Sequence, residues 1–291
     1  MLDLSDGRFL RTLRMIRIVT RRIFKGQKIG SRKTLEKGAS VDFKDYKEYN
    51  PGDDPRFIDW NVYGRLDRVL VKIFHSEEDV NVYVLLDASQ SMSFGSPSKF
   101  DYARQVGAAI AYLATTGHDR CRLATFNEGL KDTSPHADRP GHVLHLLRFL
   151  EKTGCGGPTR IQETISEFAL RFKRRGVLFV LSDLFTATPM VEALRTLRYA
   201  KYDVNLVRIL TPEELSPTLG GVCHLVDSED ESVCEVTIDP LALETYKQVL
   251  EERDLEIEQY AKQYGINYVR ASTADPFENT VLNLFGARRP G

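Results

Sequence analysis

The chain has 291 residues, 42% apolar and 28% charged, which provides a sizeable core in one large or two small domains and argues against wholesale disorder. No stretch approaches the roughly 18 uncharged apolar residues of a bilayer-spanning helix, and the N-terminus lacks an apolar signal core with a small-residue cleavage site, so a cytoplasmic protein is expected. The net charge of −1 hides an asymmetry: residues 1–38 carry eleven Lys or Arg against Asp3, Asp6 and Glu36, so this arm is +8 and the remainder −9. Such polarity suits docking on an acidic surface.

In chain order, residues 7–25 set Phe9, Leu10, Leu13, Ile16 and Ile23 among six arginines at roughly helical spacing, a basic amphipathic helix. Its apolar stripe either packs on the protein's own body or binds an anionic membrane surface or partner, with nucleic acid a weaker alternative. Residues 26–34 look superficially like a phosphate loop, but Arg32 stands where a Walker loop needs glycine and no apolar strand leads in, so a basic turn is expected. Residues 39–79 form a separate extension of strand and turn character. Its Pro51-Gly52-Asp53-Asp54-Pro55 core is turn chemistry, with Arg56, Asp59 and the sole tryptophan, Trp60, read as an anchored loop.

From residue 80 onward strands and helices alternate. Residues 80–87 and 177–181 are continuous apolar runs of the kind buried on both faces. Further strands are expected at 120–126, 204–210 and 266–271, and helices at 98–116, 141–153, 160–174, 189–200 and 240–264. This predicts a doubly wound α/β domain over 80–291, a mostly parallel sheet with helices on both faces. Residues 221–238 read as an inserted hairpin around the turn at Asp227. The four cysteines lack C-x-x-C spacing and paired histidines, giving no ground for zinc or a disulfide framework. Cys223 and Cys234 are expected to face each other across the hairpin as free thiols.

The chemistry collects at strand ends, where ligands bind in doubly wound sheets. The first core strand stops on Asp87 and then offers hydroxyls at alternate positions, Ser89 and Ser91. Thr159 follows the glycine-rich Gly154-Cys155-Gly156-Gly157-Pro158, and Asp183 follows the later core strand. Three loops offering only hydroxyl or carboxylate oxygen suit a hard divalent ion, Mg²⁺ or Mn²⁺, rather than zinc. For the serines alone the competing explanation is an N-terminal helix cap. For Asp87 the rival is a phosphoryl-accepting nucleophile of a Mg²⁺-dependent phosphatase, but such loops carry a second aspartate two residues on, where this chain has Ser89.

These residues resemble the metal-ion-dependent adhesion site of von Willebrand factor A domains. More narrowly, Gly30-Ser31-Arg32-Lys33, the string Gly52-Asp53-Asp54-x-Arg56-x-Ile58-Asp59-Trp60 with Phe43, Tyr46 and Tyr49 before it, and Asp87-Ala88-Ser89-Gln90-Ser91-Met92 resemble the DUF58 family. The resemblance implies a Rossmann-like von Willebrand A fold in which Ser89 and Ser91 ligate the cation directly, Thr159 directly or through water, and Asp87 and Asp183 largely through water. It also implies a non-catalytic interaction module without a small-molecule substrate, a partner or adaptor of a MoxR-type AAA+ ATPase in protein maturation or assembly. Neutral hydroxyls leave the ion's charge unquenched, so an acidic segment of a partner protein is expected to complete the shell.

Overall fold

The runs Val82–Leu86 and Val177–Leu181 have no polar side to turn toward water, so they can only lie inside a sheet covered on both faces. The structure, a computed structural model, describes residue 4 and residues 6–24, 43–74, 80–185, 190–229 and 232–286. By its contacts the chain divides into two units, Met1–Gly26 with Val80–Gly291, and Gln27–Asp79. The basic turn at 26–34 and the boundary drawn at residue 38 lie outside the described residues.

The elements run α1 (Gly7–Phe24), β1 (Phe43–Glu48), α2 (Trp60–Leu66), β2 (Leu70–Phe74), β3 (Asn81–Asp87), α3 (Lys99–Thr116), β4 (Arg120–Phe126), β5 (Leu130–Thr133), α4 (Val143–Lys152) and α5 (Ile161–Arg171). There follow β6 (Val177–Ser182), α6 (Met190–Tyr199), β7 (Asp203–Leu210), α7 (Pro212–Leu215), β8 (Gly221–Val226), β9 (Val233–Ile238), α8 (Pro240–Tyr264), β10 (Asn267–Ser272) and α9 (Phe277–Gly286).

In the larger unit six strands lie in the order β10-β7-β6-β3-β4-β5, parallel except for the edge strand β5. This is the expected doubly wound sheet. Its order reverses beside β3, whose neighbours are β4 and β6, so the carboxyl ends of β3 and β6 border a topological switch point. Alternate residues of β3 feed two cores. Val82, Val84 and Leu86 meet α3, α4 and α9, while Tyr83 and Leu85 meet α5, α6 and α8.

Helix α1 packs its apolar stripe on this body: Leu13 and Ile16 are buried in the first core and the Phe9 ring lies 5.4 Å from that of Phe277. Arg8, Arg11 and Arg14 remain exposed. Arg17 Nη2 donates to the Thr116 carbonyl at 3.4 Å, a cation set against the negative end of α3. Among the described residues no helix is long and apolar enough to cross a membrane.

The hairpin β8–β9 forms as expected, as a two-stranded antiparallel sheet. Its register corrects one expectation, because Cys223 stands opposite Val236 and Cys234 opposite Leu225. The thiols are therefore diagonal rather than facing, since turn length and not sequence symmetry sets the pairing.

In the smaller unit β1 and β2 pair antiparallel, and the expected anchored loop proves to be two caps. Asp54 caps the short turn Pro55–Phe57 and holds the Arg56 guanidinium at 2.7 Å. Asp59 caps α2: its Oδ1 accepts from the amides of Asn61 and Val62 at 3.0 and 3.3 Å. Trp60 and Arg56 are exposed, so of the three residues expected to anchor the loop only Asp59 is buried. Its Oδ2 also accepts the Tyr46 hydroxyl at 2.7 Å and the Lys72 ammonium at 3.0 Å. These two partners, Tyr46 first, hold the Asp59 carboxyl down to about 2, against an ordinary 3.8. A carboxyl lowered on folding stabilises above its unfolded value and loses that contribution as pH falls through the folded one. Acid is thus expected to loosen this unit as pH drops from 3.8 toward 2. Trp60 fluorescence reports it, and Asp59→Asn, which keeps a capping side chain but no charge, flattens the profile; identical acid profiles for the two proteins contradict the assignment.

Candidate metal centre

A strand that ends on a buried carboxyl must supply that group with donors, because an isolated charge out of water is too costly. Asp87 at the end of β3 is fully buried. Its Oδ1 accepts the Ser89 amide at 3.0 Å, which turns the chain sharply into a single 3₁₀ turn, Gln90–Ser93. Ser89 sits at the cap position of that turn, yet its side chain makes no capping hydrogen bond. Its hydroxyl lies instead 3.1 Å from that of Ser91. The helix-cap explanation of the serines therefore fails for Ser89, and the two oxygens lie side by side.

Thr159 is brought to the same place by backbone stitching between two loops. The Gly156 amide donates to the Ala88 carbonyl, the Gln90 amide donates to the Gly157 carbonyl, both at 2.8 Å, and Asn127 Nδ2 donates to the Gly156 carbonyl at 2.9 Å. Gly157 turns at φ +80°, a conformation that a side chain makes strained. The Thr159 hydroxyl then lies 3.5 Å from Asp87 Oδ2.

From β6, Ser182 donates its hydroxyl to Asp87 Oδ2 at 2.6 Å and receives the Leu184 amide at 3.0 Å. Asp183, also fully buried, has both carboxylate oxygens engaged: Oδ1 accepts the Phe185 amide at 3.1 Å and Oδ2 the Lys99 ammonium at 2.6 Å. Lys99, itself buried, gives a second bond to Glu214 Oε1 at 2.5 Å. The Asp183 carbonyl receives Arg208 Nε at 3.1 Å, and Arg208 pairs with Asp254, which also holds Arg270 and the Tyr268 hydroxyl.

The electrostatics follow from this crowding. Burial first, then the charge of Asp183, pushes the Asp87 carboxyl up to about 7 despite bonds from Ser182 and Ser89. Burial alone would lower Lys99, but Asp183 and Glu214 outweigh it and hold the ammonium above its usual range. Positive charge is what stabilises an ionised Asp87, and Lys99 is already shared by two other acids.

Four of the five expected residues, Asp87, Ser89, Ser91 and Thr159, thus form one hydrogen-bonded group. Asp183 stands behind it, joined through Ser182 and through charge, and is tied to Lys99. Ser182, Lys99, Glu214 and, on the Thr159 amide at 3.1 Å, Glu229 were not anticipated. Of these, Glu214 carried a legible signal, the capping box Thr211-x-x-Glu214. The hydroxyl-rich group offers no sulfur or imidazole donor, and among the described residues there is no cluster of three or more His, Cys, Asp or Glu that could hold a metal. Its donors, all oxygen, fit a hard ion such as Mg²⁺ or Mn²⁺.

Among solved structures, the chain is similar to BatB from Bacteroides thetaiotaomicron, with 16% identity and a TM-score of 0.45 over 72% of this chain and 98% of that one. It is similar also to the SpRpn10 VWA domain, with 11% identity and a TM-score of 0.40 over 71% and 95%. Among curated proteins, the uncharacterized proteins Rv1480 of Mycobacterium tuberculosis and Mb1516 of Mycobacterium bovis are each 22% identical over 295 residues, covering 99% of this chain and 92% of theirs. The model of protein of unknown function DUF58 matches residues 45–254, from within β1 through the whole loop after β3 to Asp254 in α8, and the chain belongs to that family.

Proposed function

We propose that the protein is a non-catalytic, metal-dependent interaction module in which Ser89, Ser91, Thr159 and Asp87 hold Mg²⁺ or Mn²⁺ and an acidic side chain of a partner protein completes the shell. One observation carries this reading: two hydroxyls 3.1 Å apart, beside a fully buried carboxyl, with the Ser89 hydroxyl not used as a cap. The bound cation would supply a point of attachment for a carboxylate. The chain's own residues do the rest. Asp87 orients the Ser89 amide, Thr159 is held in register by the stitched loops, and Asp183 acts through its charge from behind Ser182.

A phosphatase-like role for Asp87 is disfavoured by its surroundings. Its Oδ2 receives the Ser182 hydroxyl at 2.6 Å, and Ser89 leaves no second carboxyl two residues on to move a proton. By the family resemblance, the assembly served is proposed to involve a MoxR-type AAA+ ATPase, with exposed Arg8, Arg11 and Arg14 left for an anionic surface.

Calorimetric titration with Mg²⁺ and Mn²⁺ tests the site. The Ser89→Ala, Ser91→Ala double variant is expected to lose at least about tenfold in affinity, the scale of losing charge-assisted contacts. Capture of acidic partner segments by the wild type is expected to vanish in excess chelator. Equal capture with and without chelator sinks the reading.

A further inference from the structure

A second polar concavity begins at the other end of the sheet. Ala137 and Cys121 exchange backbone hydrogen bonds of 2.7 and 3.0 Å, and Cys121 stands level with Val82 at the start of β3, the strand that Asp87 ends. The loop 135–137, pinned in this way, and helix α4 border a cleft of about 560 Å³. Its floor is apolar, with Leu146 buried and Phe149 half-buried. Its rim is basic. His142, His145, Phe149 and Lys152 are three, four and three residues apart, so they share one stripe of α4, with Arg148 beside them and His136 on the facing loop. No Asp or Glu is among the lining residues.

His142 has an acidic neighbour, Asp138, whose Oδ1 lies 3.2 Å from its Nδ1. Among the described residues no carboxylate lies within ion-pair distance of His136, His145, Arg148 or Lys152. The one acid of α4, Glu151, accepts the Leu4 amide at 3.0 Å and does not line the cleft. Further positive charge stands nearby: partial burial first, then Arg122, Arg120 and Arg174, hold the His136 imidazole below its usual range, against a hydrogen bond to the Cys121 backbone.

We propose that this cleft binds a ligand carrying two or more phosphate groups. Like charges gathered in a concavity with an apolar floor focus their field into it, so the cleft draws anions more strongly than the same charges spread over a convex surface. Length decides how many phosphates. His145 and Lys152 are seven residues apart, about 10 Å along the helix, which a single phosphate does not span and a chain of phosphates does. Phosphate suits the rim better than carboxylate because it offers three acceptor oxygens instead of two, and more charge, to donors packed this closely. The volume leaves room for an organic group over Phe149. The site shares no residue with the cation centre, so either can fail without the other.

Calorimetry on the full chain in metal-depleted buffer tests the proposal, with inorganic triphosphate, orthophosphate and tetra-aspartate as probes. Triphosphate is expected to bind at least about tenfold more tightly than either of the others. The Arg148→Gln, Lys152→Gln double variant is expected to weaken it at least about tenfold, the scale of lost charge-assisted contacts. Both side chains are exposed, so the fold should survive, which a far-UV spectrum and a thermal midpoint check. Arg8→Gln, Arg11→Gln on α1 is expected to bind as wild type does, separating the cleft from general basicity. Imidazole proton resonances give a second reading: bound triphosphate raises the titrations of His136 and His145 and leaves that of His224 on β8 unmoved. Co-sedimentation with vesicles containing a bisphosphorylated lipid, against plain phosphatidylcholine vesicles, distinguishes the sources. Sedimentation that the Arg148, Lys152 variant loses identifies a lipid headgroup; triphosphate binding without sedimentation identifies a soluble ligand. Equally weak binding of triphosphate and orthophosphate, or a double variant that matches wild type, overturns the proposal. Tetra-aspartate binding as tightly as triphosphate overturns it in favour of an acidic peptide.

Discussion

Replacing Lys99 with methionine is expected to destabilise the larger unit by about 3–5 kcal/mol, the range found when one partner of a buried ion pair is removed. The Lys99 side chain is 1% exposed, and its ammonium bonds two acids from different elements, Asp183 after β6 and Glu214 in α7. Methionine fills nearly the same volume, so the loss is electrostatic: Asp183 and Glu214 would be left facing each other beside Asp87 without a counter-charge. Urea denaturation in metal-free buffer measures it. The triple variant Lys99→Met, Asp183→Asn, Glu214→Gln, which removes the charges together, is expected to recover most of the loss, since the cost lies in the unpaired acids and not in the absent lysine. A single-variant loss below about 1 kcal/mol would show that the acids are not held by Lys99.

Gly176→Ala is expected to cost about 3 kcal/mol through overpacking. A methyl built on Gly176 would lie 2.0 Å from the Asn81 carbonyl oxygen and 2.9 Å from the carbon beside it, both backbone atoms that cannot rotate away. Gly176 cannot retreat either, because its carbonyl accepts the Asp203 amide at 3.0 Å on the other side. Three strands, β3, β6 and β7, are therefore wedged at their start. For a chain of this size the loss amounts to about 10 °C in melting temperature. A thermal midpoint unchanged from wild type contradicts the close approach.

Why some of this was legible in the sequence and some was not follows from the range of each interaction. Strands β3 and β6 announce themselves because both faces are buried. Helix α8 begins and ends as expected, with Asp239 as its cap, Pro240 in its first turn and Gly265 left-handed at its end, all local signals. Strand β5 carries no such signal: Leu130–Thr133 is four residues, mostly polar, and is a strand only because β4 lies beside it. Helix α9 escaped notice although Phe277, Val281 and Leu284 share one buried stripe, because so short a stripe resembles a strand end as much as a helix. At the site, Asp87, Ser89 and Ser91 are neighbours in the chain, and the strand-end pattern contains their chemistry. Lys99 carries no local signal beyond its place at the start of α3, and its burial depends on Asp183 and Glu214, 84 and 115 residues away. Glu229 lay in a turn whose acidity reads as solubility until its tip is seen against Thr159.

The short edge strand β5 has a consequence for how another protein approaches this one. Strand addition needs a run of free backbone donors and acceptors along a sheet margin. Here that margin is four residues long, its pairing with β4 slips between Thr125 and Phe126, and Lys131 and Asp132 stand exposed along it. Charged side chains on a brief, irregular edge discourage a visiting strand. That margin is closed to fibre-like stacking and to backbone-mediated capture alike, so of the two edges of the sheet the β5 side is protected by its own brevity and charge rather than by a covering element.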